Sequence, residues 1–441
     1  MTRRRLEVAA AAAVLAAGAL LLGGVLRKPA AASSASALPP TRAAGESLQT
    51  GFSGGGDTAG LIERLQSVLR AAPQDASSLD LLGLAYQQRA RETSDAAYYT
   101  KSEGVLKRAL ALRPNDLLAT SGLGSLALSR HRFRDALVLG SRARSISPTT
   151  ARNYGVIGDA LVELGHYPEA FRAFDRFAEL RPGLAAYARV SHARELLGDV
   201  TGAIEAMKLA VDAGSGQGEA EAWTRVQLGK IYWSVGRLGA ATFEYRGALR
   251  VFPGYPYALD ALARVEAARG RLAPAIALEQ RATAVIPLPQ YVGQLSDLYR
   301  AAGKPRFARR QYVLIGVIQR LLVANGVKTD LETALFDVDH GIRLSHALAL
   351  ARRARAERPS IDGDDVLAWA LARNGRCNEA LAYSRSALQL GTQDALKLFH
   401  RGMIERCLGN RAAGNAFLHR ALAVNPHFSV LWSSVARRAL S

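Results

Sequence analysis

Large apolar residues recur along this chain at i, i+3 and i+7, the spacing of one face of an α-helix, and no stretch competes with the alternation of a β-strand. In the stretch 151–182, Tyr154, Ile157, Gly158 and Leu161 mark a first helix. Gly165 marks a turn, and Ala170, Phe174 and Phe177 mark a second helix that ends at Pro182. Proline lacks an N–H and cannot continue a helix interior, so it is a stop. Gly158 and Ala170 are small where two antiparallel helices approach most closely, because a bulkier side chain there forces the helices apart.

The same unit repeats. Pro114, Pro148 and Pro182 are spaced 34 residues apart, as are Pro253 and Pro287. Further units are Leu123, Gly124, Ala136, Ala143 and Pro148; then Leu228, Gly229, Tyr232, Gly236, Ala241, Tyr245, Ala248 and Pro253; then Leu262, Ala263, Gly270, Ala275, Ala282 and Pro287. This spacing resembles the tetratricopeptide repeat. The resemblance implies an all-α, right-handed α-solenoid of about ten helix pairs, with the first helix of each pair lining an inner groove. The other units are edited copies. Residues 76–114 carry an insertion around 92–100, the unit from Ala185 runs into the flexible Gly214–Gly218, and Gln311–Val323 extends a second helix. These features divide the chain into 59–216, 217–325 and 326–428, with breaks in the superhelical path at Gly214–Gly218 and Gln311–Val323. Leu61–Ala72 reads as a leading helix and 429–441 as a capping one, because the ends of a stack need covering.

Residues 1–29 read as a signal peptide or a membrane anchor. Arg3, Arg4 and Arg5 precede Val8–Leu26, a run of 19 uncharged residues that spans roughly 28 Å as a helix, about one bilayer. Ala30-Ala31-Ala32 and Ala35-Ser36-Ala37 offer cleavage sites, and Thr2–Leu6 is similar to a twin-arginine signal. Cleavage and retention both remain open. Residues 30–58, rich in Ala, Ser, Gly and Pro, read as a disordered tether. The expected location is outside the cytoplasm, either released or tethered to the cytoplasmic membrane by residues 8–26.

The chain of 441 residues carries 57 basic and 38 acidic residues, a formal net charge of +19. Such an excess suits an anionic membrane or another envelope surface as a partner, with salt-sensitive binding. Arg300, Lys304, Arg306, Arg309 and Arg310 form one cluster; Arg352, Arg353, Arg355 and Arg358 form another, on a second helix expected to face outward. No aromatic-interleaved basic strip and no nucleic-acid-binding module is present, and an export signal argues further against nucleic acid. The two cysteines agree with export. Cys377 begins the second helix of one pair and Cys407 ends the first helix of the next, so the two ends meet and a disulfide is geometrically allowed; two inert buried thiols are the alternative.

The inner groove of a solenoid is its usual binding surface. The first-helix positions expected to point into it are Asp159, Arg189, Trp223, Lys230, Trp233, Tyr257, Asp260, Arg264, Asp297 and Arg300. Trp and Arg with mixed charge suit an extended peptide, since they supply contact area and hydrogen bonds together; Trp223 and Trp233 fit a core role as well. In the last third, Ala334–Gly341, Leu398–Ile404 and Asn425–Ser429, together with Pro287–Val292, are similar to segments of a bacterial exported tetratricopeptide family, a resemblance that carries no activity with it. Asp337, Asp339 and His340, joined by His400, are the residues a metal would need, although their spacing matches no closed metal motif and helix-end hydrogen bonding accounts for them equally. No phosphate loop, nucleophile elbow or zinc-protease helix occurs. No cofactor is expected. The sequence thus predicts a non-catalytic protein-interaction scaffold that takes a protein or peptide segment in its groove. The alternative is an envelope-surface or ligand-carrying protein that uses the basic exterior or the Asp337/Asp339/His340 cluster.

Overall fold

The computed structural model describes residues 58–441, in which every regular element is a helix. The apolar run 8–26 and the tether up to residue 57 lie outside the described residues. Among the described residues no helix is long and apolar enough to cross a membrane. A leading helix α1 (Thr58–Ala71) precedes ten antiparallel hairpins. These are α2 (Ala76–Thr93) with α3 (Ala97–Leu112), α4 (Leu117–Ser129) with α5 (Phe133–Ile146), α6 (Ala151–Glu163) with α7 (Tyr167–Leu180), α8 (Leu184–Leu196) with α9 (Val200–Ala213), and α10 (Glu219–Ser234) with α11 (Leu238–Val251). Then come α12 (Pro256–Ala268) with α13 (Leu272–Val285), α14 (Pro289–Ala301) with α15 (Pro305–Ala324), α16 (Asp330–His340) with α17 (Leu344–Glu357), α18 (Ile361–Arg373) with α19 (Cys377–Ser386), and α20 (Ala395–Cys407) with α21 (Arg411–Val424). A short closing helix α22 (Ser433–Leu440) covers the end.

Local chemistry sets these boundaries. Asp116 caps α4 by accepting from the backbone N–H groups of Leu118 and Ala119, both at 2.9 Å, and Asp75, Ser360 and Asp394 cap α2, α18 and α20 in the same way. At the waist of the hairpins, a Cβ added to Gly158 would overlap the Phe174 ring, and one added to Gly229 would overlap Tyr245. Replacing Gly229 with alanine adds about 1 kcal/mol of helix propensity, yet the overlap should win. We expect a net loss of about 1–3 kcal/mol, read as a lower urea midpoint; a gain in stability would refute the close approach.

Consecutive helices pack closely throughout, with one exception: the backbones of α15 and α16 stay apart, and the two meet through side chains, Tyr312 against Phe336 and His340, with Ile315 in one apolar cluster with Leu331 and Phe336. α15 is 20 residues long, against 14 in α13, and its extra turns run past its partner. Across Gly214–Gly218, by contrast, α9 and α10 pack together, and one hydrophobic cluster runs from Leu184 to Val265.

The superhelix also comes round onto itself. The turn of each early hairpin sits against a loop between two hairpins of the later array. His131 Nδ1 lies 2.8 Å from the Lys328 carbonyl oxygen. The Tyr167 hydroxyl accepts from the Ile361 N–H at 2.7 Å, and Asn425 Nδ2 donates to the Trp233 carbonyl at 2.8 Å. The α6–α7 turn therefore meets the α17–α18 loop, so the path returns every five to six hairpins. Gly165 and Gly198, at φ 76° and 79°, sit in these contacts. A Cβ on either would strike the carbonyl oxygen of Pro359 or Gly391, so both the conformation and the space demand glycine.

Candidate functional site

Among the described residues, the first helices of the hairpins carry charge in the interior; the second helices carry almost none. Buried charged side chains on first helices include Arg189 on α8, Asp260 and Arg264 on α12, Asp362, Asp364 and Asp365 on α18, and Lys397, Arg401 and Glu405 on α20. On the second helices only Glu244 and Glu279 are buried and charged, and the rest of their buried positions are mainly Ala, Leu and Phe. Helix packing alone calls for apolar contacts, and each buried charge costs desolvation unless it is paired.

The groove residues expected from the sequence fall into this seam, mostly as pairs. Arg189, 1% exposed, donates from Nε to Asp159 Oδ1 at 3.0 Å and from Nη2 to Oδ2 at 2.6 Å, and its guanidinium lies over the Phe177 ring. Burial pushes the Asp159 carboxyl up, with Arg189 opposing it. Asp260 and Arg264, one helical turn apart on α12, are joined at 2.8 Å, both buried. Half-buried Lys230 has its ammonium pKa lowered by burial, against the pull of Asp260 and Glu195. Tyr257 packs edge-on against Tyr291 at 6.1 Å, and burial and the Glu219 charge raise its hydroxyl pKa. Trp223 and Trp233 are core residues of the cluster that holds α8 to α12 together. Asp297 pairs with His340 Nε2 at 2.7 Å. Arg300 alone is exposed, donating to the Tyr312 hydroxyl at 3.2 Å.

The four residues considered for a metal do not converge. Asp337 pairs with Arg343 at 2.9 Å, and burial raises its carboxyl pKa. Asp339 accepts from the indole N–H groups of Trp369 at 2.8 Å and Trp432 at 3.1 Å. His340 places Nδ1 2.8 Å from the Phe336 carbonyl oxygen. His400 places Nδ1 2.8 Å from Asp365 and stacks on the Trp369 ring at 4.4 Å between centroids. Among the described residues no group of three His, Cys, Asp or Glu side chains could hold a metal ion. Asp339 and His400 instead belong to an aromatic knot of Trp369, Phe399, Phe428 and Trp432 that joins the last hairpins to α22. Cys377 and Cys407 form a disulfide, with Cα atoms 6.2 Å apart.

Two groups escaped the sequence reading. One is the buried seam on α18 and α20, where Lys397 Nζ sits 2.7 Å from Asp362 and 3.1 Å from Asp394. Three carboxylates in the first turns of α18 and a lysine one unit later were its visible trace. The other is Arg358. It does not face outward with its neighbours: it is buried, bonded to Glu163 of α6, 3.2 Å from Glu332 of α16, and seated over the Phe133 ring. The reason is that the loop after α17 abuts an earlier turn of the superhelix, which a repeat pattern read one unit at a time does not reveal.

Fold and seam together define a tetratricopeptide-type α-solenoid. No protein-family model matches the chain, and no curated protein matches it. Among solved structures it is similar to a tetratricopeptide repeat protein from Parabacteroides merdae, at 13% identity over 52% of this chain and 87% of that one, TM-score 0.41. It is similar also to a thermophilic tetratricopeptide protein of Thermus thermophilus, at 22% identity over 44% and 97%, TM-score 0.38. A human IFIT1 dimer with PPP-AAAA is similar at 14% identity over 83% and 87%, TM-score 0.45. At these scores the assignment rests on the helix pairing described above.

Proposed function

We propose that this protein is a non-catalytic interaction scaffold that recognises a polar, extended segment of a partner protein along the first-helix seam, outside the cytoplasmic membrane. The observation that carries this reading is the segregation of interior charge to the first helices. Asp159, Arg189, Lys230, Asp260, Arg264, Asp362, Asp365 and Lys397 form a succession of four acidic and four basic groups, where packing alone asks for none. A segment laid along it exchanges hydrogen bonds from residue to residue, and the spacing of the hairpins sets its register. The disulfide supports an oxidising compartment, since such bonds persist there and not among cytosolic thiols.

A photo-crosslinking amino acid placed at Tyr257, on the inner helix α12, tests this in living cells against the same probe at exposed Arg246 on α11. The expected result is a discrete protein adduct from position 257 and none from 246. Adducts from 246 alone, or from neither position, would overturn the reading.

A further inference from the structure

Helix α15 shows solvent an apolar face that nothing in the described chain covers. Only Ala308 and Ile315 are buried on it. Turned away from them lie Phe307, Leu314 and Leu321, seven residues apart on one stripe, with Val313 and Val317 beside it; Val313 is 71% exposed and Leu321 59%. Other second helices expose single large apolar residues, such as Val138 on α5 and Phe243 on α11, but not a stripe. The outer face of α7 carries Glu169, Arg172, Arg176 and Glu179, which pair with one another.

The charges around the stripe are of one sign. Between Asp297 and Asp330 the chain holds no acidic residue and seven basic ones. Of these, Lys304, Arg306, Arg309, Arg310 and Arg320 lie on or next to α15, are exposed, and make no ion pair among the described residues. Arg310 arches over the Phe307 ring at 5.8 Å. The surface is therefore a convex rod with large aliphatic residues along its crest and unpaired guanidinium groups at its N-terminal end and flank. An acidic protein groove would have to wrap around this cylinder. A bilayer surface needs only contact along the crest, with phosphates at either side.

We propose that the outer face of α15 is an interfacial docking surface for a bilayer rich in anionic lipid. The stripe lies at the boundary of headgroups and acyl chains, roughly 5–10 Å deep. The arginines around it bind phosphates, and each basic residue contributes about five-fold in partitioning to an anionic surface. Tyr312 and Ile315 pack toward α16, on the side away from the crest, and leave Phe307, Val313, Leu314, Val317 and Leu321 exposed. The docking is independent of what the first helices bind and of whether residues 8–26 remain attached.

The test uses the full chain with Val313→Cys carrying an environment-sensitive fluorophore. The native cysteines are joined to each other, so the new thiol is labelled selectively. Vesicles of phosphatidylcholine alone are compared with vesicles that also contain phosphatidylglycerol, with and without spin-labelled quencher lipid. The expected result is a blue shift and quenching with the anionic vesicles only, abolished at about 0.5 M salt, where the Debye length is roughly 4 Å. Reversing charge in R306E/R309E/R310E should weaken partitioning by roughly a hundred-fold or more while the far-UV spectrum and thermal midpoint stay unchanged. If the protein floats with vesicles while the label stays in water, attachment runs through another segment and the proposal fails. It fails equally if neutral vesicles quench as well, or if the blue shift appears without vesicles as protein concentration rises, which would make a second copy the occupant.

Discussion

Replacing Arg358 with alanine is expected to destabilise the protein by about 3–5 kcal/mol, the penalty for breaking a buried ion pair from one side. The guanidinium is 4% exposed and neutralises two carboxylates from two different parts of the array, Glu163 and Glu332. Burial disfavours its charge, but the two carboxylates outweigh that and hold its pKa above the ordinary arginine value. Burial likewise pushes the Glu163 carboxyl up, with Arg358 as the main opposing charge. Without the arginine, Glu163 loses its hydrogen-bond donor inside the protein and must protonate or draw in water. The Phe133 ring loses its cation at the same time.

The consequence reaches beyond local stability, because this contact ties the α6–α7 turn to the loop after α17. Nearby, Arg134 Nη2 donates to the Ala356 carbonyl at 2.9 Å, and the Tyr167 hydroxyl holds the Ile361 N–H. Arg358→Ala should therefore lower the denaturation midpoint and also enlarge the radius of gyration as successive turns part. The double substitution R358M/E163M should recover much of the loss, since an apolar pair of similar volume removes both charges. A loss below about 1 kcal/mol, typical of a solvent-exposed pair, would mean that the turns do not pack on one another.

That contact also marks where the sequence stops being readable. A repeat of 34 residues encodes relations between a residue and its neighbours in the same and adjacent units. Gly158 facing Ala170 and Phe174, and Gly229 facing Tyr245, are visible because small and large residues alternate within one unit. The ten hairpins, the leading and closing helices and the overlong α15 follow from that grammar. The return of the superhelix onto itself does not. Residues 195 apart meet at Glu163 and Arg358, and nothing in either unit announces the other; Arg358 reads as one more outer arginine.

For the first-helix charges, position was legible but state was not. Asp159, Arg189, Asp260 and Arg264 are on the first helices as the pattern requires, yet periodicity says which way a side chain faces and not which partner it takes. Asp337, Asp339 and His340 show the same limit: three potential ligands within four residues of one short helix radiate to an arginine, two indoles and an aspartate on separate elements.

Removing the disulfide should cost about 3–4 kcal/mol, the loop-closure entropy of a bridge spanning about 30 residues. The bond joins the start of α19 to the end of α20, residues 30 apart, and its position in the array decides where the loss appears. In a solenoid each hairpin is held by the hairpins on either side, so the last one lacks half its support and opens first. Here the last hairpin, α20–α21, is followed only by the short α22. The disulfide ties its first helix back to α19, and the Asn425 bond to Trp233 ties its far end to an earlier turn. The substitution C377A/C407A should thus lower amide protection in α20, α21 and α22 well before it affects α10 to α13, and a reductant should reproduce the effect, because Cys407 lies at the surface. Equal loss of protection along the whole array would show that the solenoid unfolds as one cooperative unit. No loss at all would show that the aromatic knot of Trp369, Phe399, Phe428 and Trp432 already holds the end closed without the bridge.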